Sequence, residues 1–182
     1  MKSQPNIILE DDHTIAAFIG LGSNLDSESG DRSALLKRAI CELSRQSIKP
    51  IVVSSFYESE PVDCPLGSRN FVNAVAAVFL PIDTDVEAYH GLLCELEEKL
   101  GRKRTGIIHE PRTIDLDLLY FGCESVSLKH LEVPHPRALQ RRFVMLPLSE
   151  IAPELVLPEQ TISVLELLSK TPQKPEVCQI NL

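Results

Sequence analysis

Apolar residues recur along this chain with two periods, and the alternation between them sorts it into strands and helices. Thr14 to Leu21 (TIAAFIGL) is almost wholly apolar and closes on Gly22-Ser23-Asn24, which predicts a buried strand. Leu35, Leu36, Ala39, Ile40 and Leu43 recur at helical spacing within 31–46, with Asp31 placed to cap the helix. Ile51 to Tyr57 is β-branched and aromatic and predicts a strand. Glu58 to Arg69 holds two prolines and a glycine and reads as a loop, and Asn70 to Leu80 reads as the next strand.

The second half repeats the plan. Thr84-Asp85-Val86-Glu87 has the form of a capping box, opening a helix with Val86, Leu92, Leu93, Leu96 and Leu100 on one face and Gly101 as its stop. Thr113 to Phe121 (TIDLDLLYF) predicts a strand, and Val126 to Val133 a short one. Pro136 suits the first turn of a helix running through Arg142 and Phe143, and Ser163 to Glu166 is a second capping box before a short helix ending at Leu168. The order strand, helix, strand, strand, helix, strand is the split βαβ plan. The expected fold is therefore α+β, a ferredoxin-like βαββαβ sandwich with extra C-terminal elements. It has helices on one face of an antiparallel sheet, and the other face is left for further elements or a ligand. Residues 14–170 form one domain, with 1–13 and 171–182 as tails.

Composition narrows the function. A chain of 182 residues suits one domain, and its formal charge of −8 argues against a nucleic-acid coat or adhesion to an anionic membrane. No apolar run approaches the roughly 20 residues of a membrane-spanning helix. The N-terminal stretch, with Glu10, Asp11 and Asp12, lacks the plan of a secretory signal, so the expected location is the cytoplasm. Cys41, Cys64, Cys94, Cys123 and Cys178 are scattered, which predicts reduced thiols acting as small hydrophobes. The charge is uneven: from Gly101 to Arg142 the chain is net +3, leaving −11 for the remainder. A local basic field in an acidic protein suits a small polyanion such as a nucleotide, although a solvated basic face would look the same.

The sharpest chemical signal is Arg112-Thr113-Ile114-Asp115-Leu116-Asp117. On a strand Asp115 and Asp117 share a face, their roots roughly 7 Å apart, with Ile114, Leu116, Leu118 and Tyr120 on the other. Two such carboxylates need a cation, and hard oxygen ligands suit Mg²⁺ against phosphate oxygens. The plainer alternative is a solvent-facing pair on an amphipathic strand. Arg102, Arg104 and Arg112 favour the metal reading, because cationic forks beside metal-binding carboxylates are what phosphoryl transfer needs. Gly20-Leu21-Gly22-Ser23-Asn24-Leu25 fails as a dinucleotide fingerprint at its sixth position, and no Walker-type loop exists. Its glycines would let a flat ligand approach the backbone, or simply end a strand. Phe71 and Asn73 share a strand face, a stacking ring beside an amide, and Phe143 could supply a second ring; as core residues they would need no ligand. His135, Arg141 and Arg142 form a further polar group near a proline-bounded turn.

These segments together resemble the 6-hydroxymethyl-7,8-dihydropterin pyrophosphokinase family of folate biosynthesis, over about residues 15 to 160. The resemblance rests on Ile19-Gly20-Leu21-Gly22-Ser23-Asn24-Leu25, Ser54-Ser55-Phe56-Tyr57, Phe71-Val72-Asn73-Ala74, Pro111 to Asp117, Val133-Pro134-His135-Pro136-Arg137, and Arg141-Arg142-Phe143-Val144 with Glu150-Ile151-Ala152-Pro153. It implies transfer of pyrophosphate from ATP to the pterin hydroxymethyl group with release of AMP, two Mg²⁺ ions on Asp115 and Asp117, and no nucleic-acid or membrane partner. By the same resemblance Gly22, Ser59, Val62, Phe71, Asn73 and Phe143 bind the pterin. Glu97, Arg102, Arg104, Arg112, His135 and Arg141 meet ATP, with Arg102, Arg112, Asp115 and Asp117 as the catalytic set. A monomer is expected. Where the family usually carries a basic residue, Trp and Gly before Pro-Arg, this chain reads Ile108-His109-Glu110, which motivates the alternative of a catalytically weak pterin- or nucleotide-binding protein of the same fold.

Overall fold

A computed structural model describes residues 7–26, 30–65, 67–103 and 111–181. Its elements run β1 (Thr14–Ser23), α1 (Arg32–Gln46), β2 (Val52–Val53), β3 (Phe56–Ser59), β4 (Phe71–Pro81), α2 (Val86–Lys99), β5 (Asp115–Phe121), β6 (Val126–Leu128), β7 (Leu131–Val133), a 3₁₀ turn (Ala138–Gln140), α3 (Arg142–Ile151), α4 (Val164–Lys170) and β8 (Val177–Ile180). The main sheet has the order β5-β1-β4-β3-β8, with β2 also on β4, and every pairing is antiparallel. The first four strands of that path have the ferredoxin-like arrangement, and β6 and β7 form a separate hairpin.

Both sheet faces are packed, because β1 and β4 are apolar at nearly every position and must bury both sets of side chains. On one face Ile19, Leu21, Val72, Leu116 and Leu118 meet Leu36 and Leu43 of α1 and Leu93 and Leu96 of α2. On the other, Phe18, Val75, Ala77 and Leu119 meet Met145, Leu148 and Ile151 of α3 and Val164 of α4. The C-terminal helices cover only part of that second face, and the remainder is the floor of a cleft.

Several local expectations are revised. Helix α2 is capped by Asp85, whose carboxylate accepts the Ala88 N–H at 2.7 Å, rather than by Thr84. Its buried stripe holds Tyr89 and Glu97, while Leu92 faces solvent. Gly101, at φ 94°, does follow the helix in the left-handed region that favours glycine. The strand expected over 51–57 divides into β2 and β3. Ser54 Oγ takes the Val75 N–H at 3.0 Å, and the Ser55 N–H turns off the sheet to Glu150. The chain after Pro136 makes a 3₁₀ turn, and the extended backbone at Arg141 (φ −105°, ψ 105°) delays the helix to Arg142. Residues 126–133 make a hairpin instead of one strand. Within 171–182, read as a tail, β8 joins the sheet edge. Within 1–13, Ile7 is buried in the second core and Leu9 accepts the Ala16 N–H. No disulfide joins the cysteines, and Cys41, Cys123 and Cys178 are exposed rather than packed as hydrophobes.

Candidate active site

The floor of the cleft follows from strand register. Asn73 of β4 lies opposite Gly22 of β1, which lies opposite Asp115 of β5, and Gly20 lies opposite Asp117. Residues paired directly across a sheet point to the same side, so all five project from the second face. Phe71 extends the row one step along β4, opposite Ser59 of β3. Because β1 supplies only hydrogens here, the floor is hollow between the amide and the acids. A Cβ on Gly22 would stand 3.7 Å from Asn73 Oδ1, 3.7 Å from Asp115 Cβ and 3.8 Å from the Phe71 ring, so any longer side chain would enter the cavity. Arg141, Phe143 and Val144 at the start of α3 form one wall, and the segment from Ser59 to Cys64, with Val62, forms another. The cleft is open to solvent, and the space between its walls, with the solvent at its mouth included, is about 680 Å³.

Asn73 is almost fully buried, and its two amide hydrogens are committed. Nδ2 donates to Ser59 Oγ at 3.0 Å and to the Tyr57 carbonyl at 3.3 Å, which leaves Oδ1 turned to the cleft as an acceptor. Each aromatic carries an arginine over its face, Arg112 over Phe71 at 5.4 Å and Arg141 over Phe143 at 5.5 Å.

The acids sit in a cationic cage. Arg102 Nη1 bridges Glu97 Oε1 and Asp115 Oδ1, and Arg112 Nε lies 3.0 Å from Asp115 Oδ2. Glu97 is buried and is itself fixed by the Leu116 N–H at 2.8 Å. Asp117 is less well compensated, with Arg141 Nη1 at 3.6 Å and His135 Nε2 at 4.0 Å. Burial, reinforced by the Asp115 charge, raises the Asp117 carboxyl to about 7. Burial and the neighbouring Arg141 and Arg137 hold His135 down at about 4, so its imidazole is neutral near pH 7. Its Nδ1 accepts the Arg137 N–H at 3.1 Å, which leaves the proton on Nε2, facing Asp117.

A second, more polar cleft opens on the far side of Asp117. It is bounded by His90 of α2, Leu116 and Leu118 of β5, the β6–β7 hairpin with His130, and His135. The two cavities share Asp117. The cleft thus gathers Gly22, Ser59, Val62, Phe71, Asn73, Arg112, Asp115, Asp117, Arg141 and Phe143; Glu97 and Arg102 stand behind Asp115, and His135 lies on the second cavity. Arg104, with His109 and Glu110, lies outside the described residues. Periodicity alone did not point to the second cleft, nor to Asn24. The buried Asn24 takes the Arg112 N–H on its side-chain Oδ1 at 2.7 Å while its backbone N–H donates to the Arg112 carbonyl at 3.1 Å, clamping the arginine. Its only signal was its place in the Gly-Ser-Asn strand end.

Fold and cleft define a ferredoxin-like α+β protein with an arginine-caged acidic pair between two cavities. The chain belongs to the 7,8-dihydro-6-hydroxymethylpterin-pyrophosphokinase (HPPK) family, whose profile matches residues 18–153. It is 40% identical over 150 residues to the 2-amino-4-hydroxy-6-hydroxymethyldihydropteridine pyrophosphokinase of Haemophilus influenzae, covering 81% of this chain and 88% of that one. The protein of the same name from Bacillus subtilis is 36% identical over 142 residues, covering 76% and 79%. Among solved structures, Plasmodium falciparum HPPK-DHPS with pteroate superposes with a TM-score of 0.63 at 15% identity; the match spans 89% of this chain and 43% of that one.

Proposed function

We propose that this protein transfers the terminal pyrophosphoryl group of ATP to the hydroxymethyl oxygen of 6-hydroxymethyl-7,8-dihydropterin. The oxygen attacks the β-phosphorus, the bond from that phosphorus to the oxygen bridging to the α-phosphorus breaks, AMP leaves, and the hydroxyl proton passes to solvent. The observation that carries this reading is the meeting of two cavities at one acidic pair ringed by arginines. One cavity has stacking rings and a directed amide, and the other is polar. Family membership supports the same reaction.

In this reading the pterin lies over Gly22 between Phe71 and Phe143, and Asn73 Oδ1 accepts its ring N–H groups. Ser59 and Val62 form the rim of that pocket. The nucleotide enters by the second cleft, where the His135 Nε2–H donates to a phosphate oxygen. Arg102, Arg112 and Arg141 stabilise negative charge on the transferred and leaving phosphates, and Glu97 holds Arg102 in place. Arg104 completes the cationic set on the strength of the family resemblance.

The donor set fits magnesium. Asp117 is short of compensating charge, and the pair offers hard oxygens on one face. No cluster of three candidate metal-binding side chains occurs among the described residues, so phosphate oxygens and water would complete the shell. Two ions held by Asp115 and Asp117 would neutralise polyphosphate charge and orient the reacting groups. No side chain in the cleft need act as a strong base, and positioning carries most of the catalysis.

The test is incubation with MgATP and the hydroxymethyl dihydropterin, followed by identification of the nucleotide released. AMP formed in step with pterin diphosphate supports the proposal. ADP would indicate ordinary phosphoryl transfer, and pterin binding without turnover would favour the weak-binding alternative.

A further inference from the structure

The residues beyond Thr171 lie outside the segment matched by the family profile, which ends at 153, yet they are built into the sheet that carries the cleft. β8 adds to the outer edge of β3, with Phe56 opposite Ile180, Tyr57 opposite Gln179, Glu58 opposite Cys178 and Ser59 opposite Val177. β3 has four residues and pairs with β4 at only three of them. Its other edge owes its hydrogen-bond partners to β8, and backbone groups on such an edge are otherwise unpaired.

Two connections run from this edge to the pterin end of the cleft. The first is through β3 itself. Ser59, its last residue, receives Asn73 Nδ2, and the chain passes from it directly into Glu60 and Val62 of the cleft wall. The second is through side chains. Gln179 Nε2 donates to Ser55 Oγ at 2.9 Å, and that hydroxyl donates to Glu150 Oε1 at 2.7 Å. Glu150 lies on α3, whose first turn carries Phe143, and β8 also packs against α3. No β8 residue lines either cavity.

We infer that β8 is a positioning strap for the pterin pocket, holding the β3 wall and α3 in the arrangement that binds the heterocycle while leaving the nucleotide cleft alone. This rests on the pterin reading of the cleft given above. Apparent affinity scales with the fraction of molecules whose pocket is assembled, so loosening the strap acts on pterin binding selectively. A strand that only stabilised the fold would change the amount of active enzyme and leave both Michaelis constants where they were.

The test uses the full chain carrying Val177→Pro together with Cys178→Pro. Successive N–H groups in a strand point to opposite edges, so one of the two removed must face β3. The KM for the pterin should rise roughly five- to thirty-fold. The KM for MgATP and kcat should stay within about twofold of the unaltered protein. Gln179→Ala, which cuts only the tie to Ser55, should raise the same KM by a smaller factor; it decides the matter should the proline variant not fold. An unchanged pterin KM in either folded variant overturns the strap, as does a parallel change in both Michaelis constants. Should the unaltered protein form no AMP at all, the functional reading fails instead, and the strap is then judged by the pterin dissociation constant of the same three proteins.

Discussion

Replacing Asp117 by Asn should stabilise the ligand-free protein while removing its chemistry. The carboxylate stands on the cleft floor, and burial together with the charge of Asp115 lifts it from 3.8 to about 7 despite Arg141 and Arg112. Between those limits the folded protein keeps a proton that the unfolded chain has released. Stability therefore falls as pH rises through the window, and the deficit is complete above it. A displacement of that size is worth ~4 kcal/mol at most. The side chain is 39% exposed to the open cleft, so water and salt reduce the effect to ~1–2 kcal/mol. His135 has the opposite sign. Its imidazole is depressed from 6.5 to about 4, so its contribution is present above 6.5 and is lost as pH falls through 4. The two slopes oppose one another in mildly acidic solution. The clean measurement is the difference in urea stability between Asp117→Asn and the parent from about pH 4 to about pH 8, without magnesium, because the His135 contribution is common to both proteins and cancels in the difference. The variant should be the more stable by ~1–2 kcal/mol at the upper end, with the gap closing toward about pH 4. Magnesium should narrow the gap by binding the parent's carboxylates, and turnover of the variant should fall by orders of magnitude. Equal stability across the range, or turnover at the parental rate, would refute the account of a strained acidic pair.

Two further substitutions have defined outcomes. Gly22→Leu places a side chain in the hollow between Asn73, Phe71 and Asp115, and should weaken pterin binding at least about 100-fold in a fluorescence titration, with little change in melting temperature. Glu150→Ala strands the Ser55 N–H and the Tyr57 hydroxyl, and should cost ~2–4 kcal/mol in urea unfolding. In the same variant the Tyr57 phenol, raised to about 12 by burial and then by Glu150, should move toward 10 in a spectroscopic titration.

What could be read along the chain was what local chemistry decides. The Asp31 cap, the Ser163–Glu166 box and the Gly101 stop each depend on residues within a turn of one another, and all three form as their types suggest. The choice of Asp85 over Thr84 was also local, but two acceptable caps stood side by side and the backbone used the second. Ser54 and Ser55 break their strand because one hydroxyl and one N–H find partners on β4 and α3, the latter 95 residues away. The pairing of β8 with β3 is of the same kind. Pro172 and Pro175 and the polar residues near them read as a tail, and only the unpaired edge of a strand more than a hundred residues earlier makes them a sheet.

The floor of the cleft was legible for a different reason. The two-residue period tells which side chains of one strand share a face, and Phe71 with Asn73, and Asp115 with Asp117, could each be placed that way. Periodicity cannot say that the two pairs share the same face of the same sheet. That follows from the order β5-β1-β4, which sets β1 between them, and from a register that puts Gly22 beside both Asn73 and Asp115. A larger residue there would divide the hollow. The glycine thus joins the half that carries the ring and the amide to the acidic half. Glu97 shows the converse: a buried carboxylate on the apolar stripe of α2 looks like an error in a helix until Arg102 and the Leu116 N–H are brought to it. A charge buried at such cost is explained by what it holds, an arginine aimed at Asp115, two residues from the acid that the two cavities share.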